Sequence, residues 1–198
     1  MPFSHPLGLV LASSSSYRRT LLDRLGLDFS VCPAHLDETP LPGEAPEAVA
    51  RRLASDKARA VAPRFPNHLI IGSDQVATSD DITVLGKPLN HANAVEQLGR
   101  LSGQRVYFYT AACLFNSHTN VLRAAMVPTE VEFRLLSRTT IEDYLHRERP
   151  YDCTGSAKIE GLGIALVRKV VSDDPSALIG LPLIALQDML AAEGVYVV

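Results

Sequence analysis

Apolar and polar positions alternate along this chain in two periods, and the periods sort it into strands and helices. Leu69-Ile70-Ile71 is an unbroken apolar run that meets Gly72 and then Asp74. A short run bounded by a turn residue predicts a buried strand, here one that delivers Asp74 at its C-terminal end. Leu7 to Ala12 is a similar run and predicts the first strand. Phe29 to Cys32 predicts a short one that stops at Pro33. Val76-Ala77-Thr78 and Ile82 to Leu85 flank Ser79-Asp80-Asp81 and read as a hairpin with turn acids. Val106 to Phe115 and Val121 to Leu136 form a longer ribbon around Asn116 to Asn120. Within it Val127, Thr129, Val131, Phe133 and Leu135 alternate strictly, so one face is wet. Ile164 to Val171 is the last strand.

Helical spacing fills the intervals. Leu21, Leu22 and Leu25 mark one face, stopped by Gly26. Pro46 suits the first turn of a helix reaching Ala62, before Pro63 and Pro66. On it Val49, Leu53, Lys57 and Ala60/Val61 share a stripe, while Arg51, Arg52 and Arg59 can point away. Asn90 caps a helix to about Ser102 with Ala94, Val95, Leu98 and Leu101 inward and Gly103 behind it. Ser137 caps another that carries Ile141, Tyr144 and Leu145 and ends before Pro150. A final helix packs Leu183, Ile184, Leu186, Met189 and Leu190. Strands interleaved with helices predict an α/β fold. No repeat, linker or low-complexity run divides residues 1–198, which predicts one domain.

Composition narrows the function classes. The chain is 46% hydrophobic and 21% charged with a net charge of −3, so no basic excess draws it to a nucleic-acid backbone. No stretch approaches a transmembrane length. The apolar run at Leu7 has no Lys or Arg before it and is short for a signal sequence, which favours a strand. Cys32, Cys113 and Cys153 show no metal spacing and read as reduced thiols of a cytoplasmic protein. The expected partner is therefore a small molecule, with neither polymeric nucleic acid nor membrane, and a homodimer is left open.

Four features carry candidate chemistry. Asp74 sits where open α/β sheets bind ligands, although a lone Asp after a strand usually only stops it. Ser13-Ser14-Ser15-Ser16 followed by Arg18 and Arg19 puts hydroxyls, free N–H groups and positive charge at a helix N-terminus. That suits a phosphate, and equally a serine cap with two solvated arginines. Lys57 is a lysine in an apolar stripe, which is unfavourable unless it meets an anion or snorkels. A methionine there is expected to lower activity with stability unchanged or raised. Lys87, in Gly86-Lys87-Pro88, lies near the strand ends. The pair Asp37-Glu38 in a proline-rich loop is by itself a weak metal signal. His118 and His146 lack partners at ligand spacing and are expected at the surface. Gly161-x-Gly163 lacks the third glycine of a dinucleotide site.

In order along the chain, Leu11-Ala12-Ser13-Ser14-Ser15 with Arg18-Arg19, Asp37-Glu38, Arg52-Leu53-Ala54-x-x-Lys57-Ala58, Gly72-Ser73-Asp74, Gly86-Lys87-Pro88, Leu101-Ser102-Gly103, Glu160-Gly161-Leu162-Gly163 and Ile179-Gly180-Leu181-Pro182 resemble the Maf family of nucleoside triphosphate pyrophosphatases. The resemblance implies an α/β protein with a mixed twisted sheet, flanking helices and a cleft between two lobes, similar to inosine triphosphate pyrophosphatases. It implies Asp74 as catalytic acid/base, with Lys57 and Lys87 beside it, and Glu38 with Asp74 around a divalent metal ion. It puts Ser13, Ser15, Arg18 and the two lysines at the triphosphate. Oxygen-only ligation suits Mg²⁺ or Mn²⁺. The implied reaction is water attack on the α-phosphate, releasing monophosphate and pyrophosphate.

Tyr17, Gln75 and Glu160 stand where branches of the family differ. Gln75 and Glu160 match the 7-methyl-GTP branch, and Tyr17 is an aromatic replacement for its tryptophan. Ser16 replaces a usual proline. The implied substrate is 7-methyl-GTP. The alternatives are a UTP/dTTP pyrophosphatase of the same family and a non-catalytic nucleotide-binding regulator of cell division.

Overall fold

The computed structural model describes residues 7–198. Its elements, in order, are β1 Gly8–Leu11, α1 Ser16–Asp23, β2 Ser30–Val31, α2 Pro46–Val61, β3 His68–Thr78, α3 His91–Leu101, β4 Arg105–Asn116, β5 Val121–Phe133, α4 Arg138–Glu148, β6 Val167–Ser172 and α5 Leu183–Ala191. The strands form a mixed sheet in the order β2-β1-β3-β4-β5-β6. β1 is parallel to both β2 and β3, and every pairing from β3 to β6 is antiparallel.

Alternation along β3 decides what lies on each face. Ile70, Gly72, Asp74 and Val76 share the face covered by α2, with Ile70 packing against Ala58 and Val61 and Val76 against Val49 and Leu53. On the opposite face Leu69 and Ile71 pack with Leu21, Leu22, Leu186 and Leu190 of α1 and α5. Further along that face Ala77 meets Leu98, Leu101, Ile141 and Leu145 of α3 and α4. The cleft opens beside β3 beyond the end of β1 and is lined from both sides of the sheet, by Lys57 and Asp74 on the α2 side and by Tyr17, Arg18 and Gln75 on the other.

Several expectations need correction. Asp74 does not end a strand: β3 runs on to Thr78, paired throughout with β4. β1 is what stops, at Leu11 opposite Ile71, so Asp74 lies beyond the end of the parallel part, on a newly opened edge. Ile82 to Leu85 is not a strand and contributes a single bridge, Leu85 to Ala77. The Asp80 carboxylate explains this, because it accepts from the N–H groups of Ile82 and Thr83 and holds a local turn instead. Those bonds also hold its pKa down at about 2. Strand Phe29 to Cys32 shrinks to Ser30–Val31, and the last strand starts only at Val167 after a 3₁₀ segment, Leu162–Leu166. β5 stops at Phe133, leaving Leu135 exposed.

Gly72 acts through its lack of a side chain rather than as a turn residue. A Cβ there would lie 2.0 Å from the Ala54 carbonyl oxygen and 3.0 Å from the Ala58 nitrogen, so α2 rests directly on β3. The Cys113 thiol, across from Gly72 in the sheet, donates to the same Ala54 oxygen at 3.2 Å. Burial pushes that thiol up to about 12, which marks it as an inert packing group. Gly72→Ala should therefore lift α2 off the sheet. We expect a loss of about 3 kcal/mol, or roughly 6–12 °C in Tm. An unchanged thermal unfolding curve would contradict this account of the glycine.

Candidate active site

The first wall of the cleft is the turn between β1 and α1. Ser15 is the N-cap, its Oγ accepting from the Arg18 N–H at 3.4 Å. Ser13 is buried, and its Oγ accepts from the Ser15 N–H at 3.2 Å and from Arg18 Nη1 at 3.3 Å. Arg18 and Arg19 part company here. Arg19 is exposed, whereas Arg18 turns inward and donates through Nε to the Gly180 carbonyl at 2.9 Å. Burial lowers the Arg18 pKa, and the negative charges of Asp74 and Glu38 oppose that shift. Gly180 presents its carbonyl with φ +121°, a conformation that favours glycine.

The centre is an ion-paired triad. Lys57 lies on the buried side of α2, as its helical phase predicts. Its Nζ is 2.6 Å from Asp74 Oδ1 and 2.9 Å from Glu38 Oε1. The anion it meets is thus supplied by the protein. Asp74 Oδ2 makes no hydrogen bond among the described residues and is the oxygen left to face the cleft. Of the acid pair in the loop, Asp37 is a turn residue that accepts from the Thr39 N–H, and Glu38 reaches the centre.

Arg52, expected only to point away, has a positioning role that its helical phase did not reveal. It binds Glu44 through Nε and Nη2, both at 2.7 Å, and reaches the Thr39 carbonyl at 3.2 Å. Glu44 in turn accepts from the Leu41 N–H. Together they tie the loop bearing Glu38 to α2, and Arg52 holds the Glu44 carboxyl at about 2.

The floor comes from the segment before α5. Ser73 Oγ is 2.8 Å from both the Ala111 and Gly180 carbonyls. Gln75 Nε2 lies 3.0 Å from each of Thr110 Oγ1, Ala177 O and Leu178 O. The buried carboxylate of Asp174 accepts from Ser176 and from the Ile184 N–H, which pins this segment from behind. Nothing in its sequence surroundings distinguished Asp174 from a turn residue.

At the mouth, the Tyr17 hydroxyl donates to Asp152 Oδ1 at 3.3 Å and accepts from the Cys153 thiol at 3.5 Å. Burial raises the pKa of both groups, that of Cys153 to about 11. Lys158 Nζ sits 5.9 Å from the Tyr17 ring centroid and is held by Glu148 at 3.0 Å. Glu160 and Lys87 are exposed on the rim. Asp152 and Cys153 were not anticipated as part of the site, since no spacing sets them apart after Pro150.

The structure gathers Ser13, Ser15, Tyr17, Arg18 and Glu38 with Lys57, Asp74, Gln75, Lys87 and Glu160 around one cleft of about 490 Å³. Its basic groups (Arg18, Lys57, Lys87) surround a carboxylate centre. Such an arrangement can hold a polyanion against cations while keeping one carboxylate oxygen available to a water molecule.

Comparison with known proteins agrees with the ordered motifs. A protein named 7-methyl-GTP pyrophosphatase from Nitrosospira multiformis is 58% identical over 190 residues, covering 96% of each chain. One of the same name from Methylobacillus flagellatus is also 58% identical, over 96% of this chain and 98% of its own. A third, from Nitrosococcus oceani, is 50% identical over 98% of this chain and 97% of its own. Among solved structures, a nucleoside-triphosphatase/dITP/XTP pyrophosphatase from Mycobacterium abscessus aligns with 66% of this chain and 76% of its own, at 14% identity and a TM-score of 0.43. The profile described as Maf-like protein matches residues 8–193. The chain belongs to the Maf family.

Proposed function

We propose that this protein is a nucleoside triphosphate pyrophosphatase that cleaves 7-methyl-GTP to 7-methyl-GMP and pyrophosphate. The observation that carries the reading is the Lys57 ammonium paired with Asp74 and Glu38 in a cleft whose wall is a serine-lined helix N-terminus with Arg18. The names of the full-length relatives support the same reaction.

In this reading the N–H groups and hydroxyls of Ser13 to Ser15, with Arg18, Lys57 and Lys87, take the phosphate oxygens. Lys57 fixes Oδ1 of Asp74, so Oδ2 receives the proton of the attacking water. The water oxygen forms a bond to the α-phosphorus as the bond to the bridging oxygen of the β-phosphate breaks. Arg18 and Lys87 stabilise the charge that moves onto pyrophosphate. Glu38 and Asp74 are an all-oxygen donor pair and fit Mg²⁺ or Mn²⁺. Such an ion would polarise phosphate oxygens and lower the pKa of water.

Tyr17 and Glu160 form the base site. N7-methylated guanine is cationic, and an aromatic face attracts it. Lys158 Nζ lies over one face of Tyr17, 5.9 Å from the ring centroid, and the base stacks on the other. The Glu160 carboxylate accepts from the guanine N1–H and amine and repels the uracil carbonyls. Gln75, with its amide nitrogen engaged by Thr110, Ala177 and Leu178, shapes the floor beneath the base. The test is kcat/KM for 7-methyl-GTP, GTP, UTP and dTTP. The parent should prefer 7-methyl-GTP, and Glu160→Gln should narrow its lead over UTP and dTTP. Tyr17→Ala should weaken 7-methyl-GTP over GTP by about 2- to 30-fold, matching a cation–π interaction of about 0.5–2 kcal/mol. A parent preference for UTP would overturn the base assignment. Nucleotide binding without pyrophosphate release on any substrate would overturn the enzymatic one.

A further inference from the structure

A second cluster lies outside this cleft, where α3 meets α4. Glu142 and His146 are four residues apart on α4 and so share one face. Packing of Leu98 and Leu101 against Ile141 and Leu145 sets α3 against α4. His91, the first residue of α3, reaches the two α4 side chains. His91 Nε2 is 2.7 Å from Glu142 Oε2, and His146 Nε2 is 4.0 Å from the same oxygen. The two imidazoles stack with centroids 4.9 Å apart and planes at 26°. One ligand atom from each residue falls within 4.8 Å of the other two. His146 thus has partners that its place in the sequence concealed, because one of them comes from another helix.

Two details go beyond a surface ion pair. The Tyr151 hydroxyl is 3.0 Å from His91 Nδ1, the ring nitrogen that a metal at Nε2 would leave over. A partner of that kind fixes the orientation and tautomer of a ligating histidine. The Glu142 oxygens are also divided, with Oε1 accepting from Arg138 at 3.2 Å while Oε2 faces both imidazoles.

We infer that His91, Glu142 and His146 form a second cation site, selective for a borderline divalent transition metal such as Zn²⁺, Co²⁺ or Ni²⁺. Two imidazoles and one carboxylate favour these ions over Mg²⁺, which prefers oxygen ligands. The His146 side chain is 72% exposed, so water can complete a four-coordinate shell. The ion would brace α3 to α4. This site is independent of the reaction proposed for the cleft.

The experiment is a Co²⁺ titration of the tag-free full chain in millimolar Mg²⁺, followed by visible d–d absorption and reversed with Zn²⁺. One Co²⁺ per chain should bind. His146→Ala, an exposed substitution that leaves the fold intact by circular dichroism, should abolish the bands without changing Mg²⁺-supported nucleotide hydrolysis. Tyr151→Phe should weaken Co²⁺ by about tenfold or more, and Asp74→Asn should leave it unaltered. Bands that survive His146→Ala, or that vanish with Asp74→Asn, would overturn the site, as would no Co²⁺ binding at all.

Discussion

Asp74→Asn should lower turnover by about a hundredfold to ten-thousandfold, the range lost when a positioned general base is removed. The asparagine keeps the shape of the side chain and can still accept at Oδ1 from Lys57, which lies 2.6 Å from that atom in the parent. It offers no carboxylate oxygen where Asp74 Oδ2 now faces the cleft. The backbone is secured independently by the β4 pairing of β3, in register from Leu69 to Thr78. Folding should therefore survive, and nucleotide binding should largely persist through Ser13, Arg18 and Lys87. The measurement is pyrophosphate release beside nucleotide affinity by calorimetry. Turnover near the parent value would remove Asp74 from the reaction, whereas loss of binding together with turnover would make it a binding residue.

Lys57→Met should lower hydrolysis strongly as well, but its effect on stability runs against the expectation from the helical stripe alone. From that stripe, methionine fills a core position at no loss. The structure adds that Asp74 is 7% exposed and that Lys57 is within ion-pair distance of both it and Glu38. Removing the lysine leaves a nearly buried carboxylate without its counter-charge. Breaking such a pair from one side destabilises by about 3–5 kcal/mol, and the solvent in the cleft should hold the loss to the lower end. Adding Asp74→Asn to Lys57→Met removes the stranded charge and should restore most of the loss. The double-mutant cycle in chemical denaturation measures this coupling. If Lys57→Met is as stable as the parent, the pair contributes nothing and the lysine is held for substrate alone. If the double variant is no more stable than Lys57→Met, the cost lies in packing rather than in charge.

Much of the architecture was legible because burial on one side imposes a period. Lys57 could be placed inward from its spacing with Val49 and Leu53, and all three are buried on one side of α2. The caps at Asn90 and Ser137 were readable for the same local reason, since a side-chain oxygen three residues ahead of an unsatisfied N–H stabilises a helix start. Ile82 to Leu85 has strand propensity, yet after Thr78 it forms only the single bridge from Leu85 to Ala77. The Asp80 carboxylate supplies the local N–H groups with a better acceptor than a second strand would.

Sequence alone singled out the hydroxyls, cations and carboxylates that line the cleft, because such groups announce their chemistry wherever they stand. Periodicity alone determined that Lys57 would be drawn into the interior. Only the tertiary structure decided what the lysine meets there, since Asp74 arrives from β3 and Glu38 from a loop that Arg52 and Glu44 hold against α2. It also decided the meaning of Gly72, which local pattern read as a stop and which is the point where a helix backbone touches a strand. The pairing of His91 with Glu142 and His146 has the same origin. Contacts between separate elements depend on how whole faces pack, and no period within one segment records which face will come to lie opposite.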